Sequence, residues 1–534
     1  MRSKKLKSSV LKALAASLPD KLSDLYPIAR QTKRTLHLVV GPTNSGKTYR
    51  ALNRLKTVRS GVYLGPLRLL AIEIRDRLEA EGYPTSLITG EMREIRPQSL
   101  LPPNAPCLVS STIEMLDFTS TLDMAIIDEV QMLCDPQRGS AWVQAILGAP
   151  ARELWLLGAP EVEPAIRFLA DYLNEPLEII HTQRLAPLEL DDKATAFGKI
   201  PPQSAIIAFS RREVLDLAAE AAEKYQRSCS IIYGALSPEV RILQAQRFHQ
   251  GETDLIISTD AISMGLNLPV KHIYFSASSK WNGSSQMPLP KELVWQIAGR
   301  AGRYGLYEAG HVGALDPSTL AYIKKCLSTS LPLVPKVYRQ APTWPIVSLI
   351  AKTTGLERLS LILELFLHRV ELSDSKHFRA AIADEQLALA DLVDGWPAIS
   401  LKNRLLLSGA PVPLYPRNVI PHEFSDFLKT IAEHKPFNLN ALWYHFPKNA
   451  SLSQERAEFA VRLFTLYCWL HYRWPDLFID LELVRQYLVE LNTAIHQHLH
   501  QTAPRRCERC GNSLRRNEPF RYCDACYRRH APWY

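Results

Sequence analysis

The chain reads as an α/β protein with two tandem parallel-sheet domains, an all-helical region after them and a small cysteine module at the end. Three observations predict this. Short apolar runs recur at 36–40, 62–64, 107–110, 124–127, 154–157, 205–208, 230–232, 255–258 and 272–275, each ending in a polar or glycine-containing loop. Helical-period segments lie between many of them, as at 69–78 and 213–224. Strands alternating with helices give a parallel sheet covered on both faces, and so many strands suit two sheets better than one. Beyond about residue 330 strand signals nearly vanish, and helical periodicity takes over at 356–372, 380–393, 455–470 and 481–498.

The expected boundaries follow from these shifts. Residues 1–30 form a basic N-terminal segment, 31–188 the first sheet domain and 189–330 the second. Residues 331–500 form the helical domain, and 501–534 the cysteine module. The seam between the sheets falls between Arg184 and Pro202, near Pro187 and Pro201. Pro332, Pro335, Pro342 and Pro345 mark a linker into the helices. A chain of 534 residues exceeds what one core supports. No internal repeat of solenoid period is visible.

Composition narrows the class. A hydrophobic content of 46% with 22% charged residues is that of a globular protein and excludes a disordered one. No run of eighteen apolar residues occurs, so no transmembrane helix and no membrane partner are expected. The net charge of +9 is concentrated at the ends. Arg2, Lys4, Lys5, Lys7 and Lys12 meet no acid in the first eighteen residues, and eight arginines face Glu508, Glu518 and Asp524 after residue 500. Basic ends favour polyanions, and a solvated tail fits the first of them equally well. Leu6, Val10, Leu14 and Leu18 fall on one helical face among those lysines, the outline of a targeting peptide. The lysine-rich composition and the lack of a secretory h-region weaken that outline. Cys107, Cys134, Cys229, Cys326 and Cys468 are scattered singly, which suits a reducing compartment.

Three stretches carry chemistry. Gly41, Pro42, Thr43, Asn44, Ser45, Gly46, Lys47 and Thr48 fit GxxxxGK[ST] and follow an apolar strand directly. Such a loop wraps nucleotide phosphates with backbone N–H groups, and the following helix adds its positive N-terminus. Lys47 is expected on the β and γ phosphates, and Thr48 is expected to place its hydroxyl on Mg2+. The apolar strand 124–127 then runs into Asp128 and Glu129. Alone, two acids at a strand end are as often merely solvated. After a phosphate loop they read as a magnesium ligand (Asp128) and a base for the attacking water (Glu129). Gln296, Arg300 and Arg303 lie far along the chain, in a stretch with two arginines three residues apart. The pair of stretches describes a γ-phosphate held on one domain and probed by arginine from another.

Here the chain resembles a known family. Asp128, Glu129, Val130 and Gln131 resemble motif II of superfamily-two helicases, in a form with glutamine in the fourth place. In the family's order follow stretches resembling motif Ia (65–71), the next strand-contacting elements (89–91 and 111–115), motif III (158–160), motif IV (208–210), motif V (258–267) and motif VI (296–303). The phrases GPTNSGKTY, IIYGALSPEVR, STDAISMGLNL, QIAGRAGRYG and SLKNRLLLSGAPV resemble the mitochondrial-degradosome, suppressor-of-var RNA helicases. The resemblance covers about residues 35 to 420. It implies two RecA-like domains, ATP hydrolysis with Mg2+, and 3′-to-5′ movement on RNA, with DNA possible. It implies Arg300 and Arg303 as cross-domain arginine fingers with Gln296 beside them, and Gly265 at the nucleotide. Arg68, Thr112, Thr259 and Asn267 would line the bound strand. An exonuclease partner is a family expectation. Four departures stand out: the phosphate loop begins at residue 41, motif III ends in Pro160, no clear adenine-reading glutamine precedes the loop apart from the candidate Gln31, and a cysteine module closes the chain.

That module pairs Cys507 and Cys510 with Cys523 and Cys526, a two-knuckle pattern for Zn2+. Four thiolates close a tetrahedral shell, so the metal would be structural. Zinc supplies about 10–16 kcal/mol to units too small to fold alone. The surrounding arginines, with Phe520, Tyr522, Tyr527 and Trp533, suit single-stranded nucleic acid, and docking on protein is the plainer alternative. His496, His498 and His500 read as a helix end rather than a metal site. The function expected is an ATP-dependent helicase or translocase on single-stranded or tailed duplex nucleic acid. A non-unwinding ATP-dependent clamp or nuclease adaptor is the alternative. A P-loop nucleoside kinase leaves residues 200–330 unused. Bacterial cytoplasm is the expected location, with the mitochondrial matrix as the alternative. Oligomeric state is not legible.

Overall fold

The computed structural model describes residues 18–97, 105–263, 268, 270–302, 305–370, 372, 374–413, 420–447 and 452–500, and the backbone of 505–506 and 513–514. Arg303, Gly265, Asn267, Cys507, Cys510, Cys523, Cys526 and residues 1–17 lie outside the described residues. The chain divides into two compact units. The first holds the described residues up to Gln183 with Pro332–Ala450 and Arg462–Tyr487; the second holds Arg184–Leu331, Ser451–Val461 and the residues from Leu488 onward. The helical region expected at 331–500 is therefore shared between the units.

The first unit is built on an eight-stranded sheet. In chain order its strands are β1 (Thr35–Val40), β2 (Ser60–Gly65), β3 (Thr85–Ile88), β4 (Arg93–Glu94), β5 (Cys107–Thr112), β6 (Leu122–Ile127), β7 (Ala151–Gly158) and β8 (Leu177–His181). Their spatial order is β4-β3-β5-β2-β6-β7-β1-β8, parallel throughout except for β4. Central strands covered on both faces must be apolar, and Met124–Ile127 of β6 and Leu154–Gly158 of β7 are buried throughout. One face packs Val39, Tyr63, Met124 and Trp155 against Ala51, Leu52 and Leu55 of the helix Lys47–Leu55, and against Ile74 and Leu78 of the helix Arg68–Ala80.

The second unit carries a six-stranded sheet. Its strands are β9 (Leu188–Leu190), β10 (Ser204–Ile207), β11 (Cys229–Ile232), β12 (Leu255–Ser258), β13 (His272–Phe275) and, past a hairpin, β16 (Gly310–Ala314), in the order β11-β12-β10-β13-β16-β9. All its pairings are parallel. The hairpin is β14 (Ser279–Trp281) against β15 (Gln286–Pro288). Three helices start on side-chain caps: Ser210 accepts from Glu213 N, Ser237 from Val240 N and Asp316 from Thr319 N.

The remaining segments are mostly helical, with corrections. The helix expected from 356 runs Leu359–Arg369, and the one expected from 380 runs Asp384–Val393. Residues Phe378–Ala380 are instead a strand, paired in parallel with Tyr338–Gln340. The helix Trp344–Thr354 starts on Pro345 in its first turn and stops at Gly355, whose φ of 70° suits a residue without Cβ. His496 and His498 lie in the helix Leu481–His500, where His496 Nδ1 is 3.2 Å from Gln244 Nε2. No described helix is long and apolar enough to cross a membrane. The five scattered cysteines are free thiols.

Candidate active site

Parallel strands place the loops that follow them along one edge, and in open α/β sheets that carboxyl edge is where ligands bind. In the first unit the strands β6, β7 and β1 are neighbours. The stretches after them, Asp128–Gln131, Gly158–Pro160 and the glycine loop, are thereby brought side by side.

The loop has an unusual backbone. Asn44 and Gly46 take positive φ of 63° and 79°, which turns successive N–H groups toward one concavity. Gly41 is pressed against Thr182 after β8, where an added Cβ would lie 2.1 Å from Thr182 Oγ1. Thr182 also donates to Ser45 Oγ at 2.9 Å and to Val40 O at 3.0 Å, fastening the loop to the sheet edge. Lys47 lies at the start of its helix and donates to Gly41 O at 2.6 Å and Pro42 O at 2.8 Å. That helix begins at Lys47 behind Gly46, with no side-chain cap, so its positive N-terminal end faces the loop.

Asp128 is only 7% exposed. Tyr63 donates its phenol to Oδ2 at 2.8 Å, Thr48 Oγ1 lies 3.5 Å from the same oxygen, and Glu129 N donates to Oδ1 at 2.9 Å. Burial, followed by the adjacent Glu129 charge, pushes the Asp128 carboxyl up to about 6, against the pull of the Tyr63 hydrogen bond. A buried carboxylate beside a threonine hydroxyl, with charge to be compensated, is a donor set that fits Mg2+. Trp142, fully buried, donates Nε1 to the Asp128 carbonyl at 2.9 Å. Glu129 has a left-handed φ of 53° that turns its side chain out of the strand direction.

The glutamine of the tetrad uses both ends of its amide. Gln131 Nε2 donates to the Glu129 carboxylate, and Gln131 Oε1 accepts from Ala159 N at 3.2 Å. Gly158 O in turn accepts from Gly41 N at 3.1 Å. A continuous polar chain thus runs from Glu129 through the 158–160 stretch to the phosphate loop, although that stretch ends in proline.

The other half of the same edge is formed by β3, β5 and β2. Thr112 ends β5 opposite Gly65 of β2, and Arg68 opens the next helix. Ser111 Oγ donates to Ile88 O at 2.8 Å, tying the end of β5 to the end of β3. Arg68 lies 4.0 Å from Glu91. Arg138 donates to Pro66 O and to Glu114, both at 2.6 Å, and so braces two of these loops together.

In the second unit, Thr259 follows β12 and its hydroxyl accepts from Ala261 N at 3.3 Å. Gln296 is half-buried on the helix Lys291–Ala298. Arg300 donates Nε to Ser263 O at 2.9 Å, which joins the stretch after β12 to the turn after that helix. Arg184 holds the same turn by donating to Gly299 O at 2.9 Å and to Ala301 O. Gly302, with φ of 73°, passes so close to Gly310 that a Cβ would meet its nitrogen at 2.4 Å.

The structure therefore brings Lys47, Thr48, Asp128 and Glu129 into one cluster and Arg68 and Thr112 onto the adjoining edge. It sets Thr259, Gln296 and Arg300 on the second unit. Sequence reading missed Tyr63, Gln131's double role, Thr182 and Arg184. Tyr63 and Thr182 lie in no recognisable pattern, whereas Gln131 stood inside the tetrad and was passed over for the acids beside it.

Comparison with known proteins gives three family matches. Residues 23–182 match the DEXQ-box helicase domain of Suv3, residues 192–305 the helicase conserved C-terminal domain, and residues 455–501 the ATP-dependent RNA helicase SUV3 C-terminal domain. The chain is 33% identical over 485 residues to the mitochondrial ATP-dependent RNA helicase SUV3 of Oryza sativa, covering 89% of this chain and 82% of the relative. It is 33% identical over 483 residues to the protein of that name in Saccharomyces cerevisiae, covering 86% of this chain. It spans 64% of that yeast relative's length. Against the mitochondrial DExH16 helicase of Arabidopsis thaliana the identity is 33% over 482 residues, with 89% and 82% covered. The names of these relatives carry a mitochondrial address, and nothing in them supports the bacterial cytoplasm expected from sequence.

Proposed function

The chain belongs to the SUV3 family of DEXQ-box helicases, and we propose that it is an ATP-dependent helicase that moves along one strand of RNA, with DNA as a lesser substrate. The observation that carries this reading is the convergence of Lys47, Thr48 and the buried Asp128 at one sheet edge, with Glu129 beside them. The loop amides and the uncapped helix receive the phosphates. Lys47 exchanges its two carbonyl partners for β and γ oxygens. Thr48 and Asp128 would hold magnesium, which when bound neutralises phosphate charge. Glu129, steadied by Gln131, orients the attacking water and takes its proton. Arg300 and Arg303 stabilise charge on the γ-phosphate, a contribution worth about 10³–10⁵ in rate, and Gln296 positions the water. By the family resemblance, Gly265 belongs to the nucleotide site.

Strand binding falls to Arg68, Thr112, Thr259 and Asn267, whose guanidinium, hydroxyl and amide groups can bond phosphate and sugar oxygens. Opening each base pair costs about 1.4 kcal/mol, which the motor offsets by gripping the strand in one nucleotide state and releasing it in another. Movement is 3′ to 5′ by the family resemblance. The relatives' names specify RNA. Cys507, Cys510, Cys523 and Cys526 would hold one structural zinc, a reading supported by their spacing. An exonuclease is a further proposed partner.

The test compares ATP turnover with single-stranded RNA, single-stranded DNA and no polymer, then strand displacement on 3′- and 5′-tailed duplexes. Stimulation stronger for RNA, and displacement from the 3′ tail alone, are expected. If neither polymer raises turnover, the reading is wrong. Stimulated turnover without displacement would favour the ATP-dependent clamp.

A further inference from the structure

The helix Gln454–His471 and the turn after it bring aromatic and arginine side chains onto the Thr89–Glu91 loop of the first sheet. Trp469 lies against Gly90, where an added Cβ would meet its ring at 3.2 Å. Arg473 stacks on Trp469 with its guanidinium carbon 3.6 Å from the ring centroid. Its Nη1 donates to Gly90 O at 3.2 Å and to Trp469 O at 2.8 Å. Its Nε and Nη2 have no acceptor among the described residues. The side chain is thus held at Nη1 by two carbonyls and at its face by the Trp469 ring. A planar guanidinium held this way is a preset fork for a phosphate.

The neighbourhood is short of anions. Arg93 is exposed, stacks on Tyr472 at 5.4 Å and pairs with no carboxylate among the described residues. Glu91 is the nearby acid, and it also faces Arg68 at 4.0 Å. Burial, then the charge of Arg93, lowers Arg473 to about 10, still protonated at neutral pH. The patch adjoins Thr112, because Ser111 bonds the end of β3 immediately before Thr89.

We propose that Arg473 and Arg93, with Trp469 and Tyr472 behind them, form a phosphate-binding site that holds the backbone of the single strand alongside the Thr89–Glu91 loop. None of these four residues belongs to a helicase motif. The assignment rests on the functional reading above and extends the strand edge onto a helix of the C-terminal region. Phosphate contacts release counterions, with a salt slope of about 0.7 per contact on single strands.

The experiment measures binding of a fluorescein-labelled oligouridylate to the full chain over a salt series, in wild type, Arg473→Gln and Arg93→Gln. Arg473→Gln is expected to weaken binding about tenfold, Arg93→Gln about threefold, and each to lower the slope of log K against log salt by about 0.7. Affinity for a fluorescent ATP analogue stays at the wild-type value. Arg93 is exposed, so its variant tests the site even if Arg473→Gln fails to fold. Wild-type binding and slope in the Arg93 variant and in any folded Arg473 variant overturn the assignment alone. Weaker binding with an unchanged slope also overturns it, since that marks a structural loss. A wild type that binds no single strand at any salt overturns the functional reading and this one together.

Discussion

The strands β1 and β10 occupy similar places, each between two parallel neighbours and each followed by a helix at the carboxyl edge. Their helices begin in opposite ways. After β1, a glycine loop leads to a helix that opens at Gly46 with no side-chain cap. After β10, Ser210 Oγ accepts from Glu213 N at 3.1 Å, and the Glu213 carboxylate accepts from Phe209 N at 3.1 Å. The first helix starts without a side-chain cap; the second satisfies its first amides with its own side chains. The difference teaches how one topology can present an open helix start in one domain and guanidinium, hydroxyl and amide side chains in the other.

Substitutions can break this contrast. Lys47→Ala removes the charged donor of the open helix, and turnover should fall about 10²–10³-fold while RNA affinity is kept, as read by steady-state ATPase and strand binding. An equal loss from Ser210→Ala would erase the distinction between the domains. Next in size is Arg34, whose side chain is fully buried and pairs with Glu175 at 2.8 Å. Arg34→Met leaves Glu175 with Arg30 alone, 2.7 Å away, and removes the donors to Ala149 O and Ile146 O, so it should cost the first unit about 1–3 kcal/mol in urea unfolding. Ser210→Ala should cost about 1 kcal/mol and leave nucleotide affinity unchanged.

The smallest effect concerns pH. Burial, then His311 and Lys271, lowers His272 to about 4. Its folded-state value lies below the unfolded one, so the unfolded chain binds the proton more readily between them. The stability contribution is complete above about 6.5 and is lost as pH falls toward 4. His272 is roughly half-buried, so solvent screening reduces the effect to on the order of 1 kcal/mol. His272→Gln should flatten the pH dependence of the second unit's unfolding over that window.

Much of this was legible in the chain because periodicity and phosphate chemistry are local. The strands around 36–40, 124–127 and 255–258 are apolar along their length and declared themselves. β8 did not, since an edge strand with alternating exposure carries Glu178 and shows no apolar run. β16 was hidden by Gly310 and Gly313, where close backbone packing replaces side-chain bulk. Lys47, Thr48, Asp128 and Glu129 could be found because their spacing is set by one loop and one strand end. Tyr63, Thr182, Arg184 and Arg473 act on residues far from them in the chain, and no spacing announces such contacts. The parallel pair Tyr338–Gln340 and Phe378–Ala380 was lost for the same reason.

The proposed function requires that hydrolysis on the first sheet use an arginine of the second. The most direct measurement is the RNA-stimulated ATPase rate of Arg300→Ala beside its affinity for a fluorescent ATP analogue. The account predicts a fall in kcat of about 10³-fold or more with nucleotide affinity changed only slightly. A kcat equal to that of the wild type would contradict it.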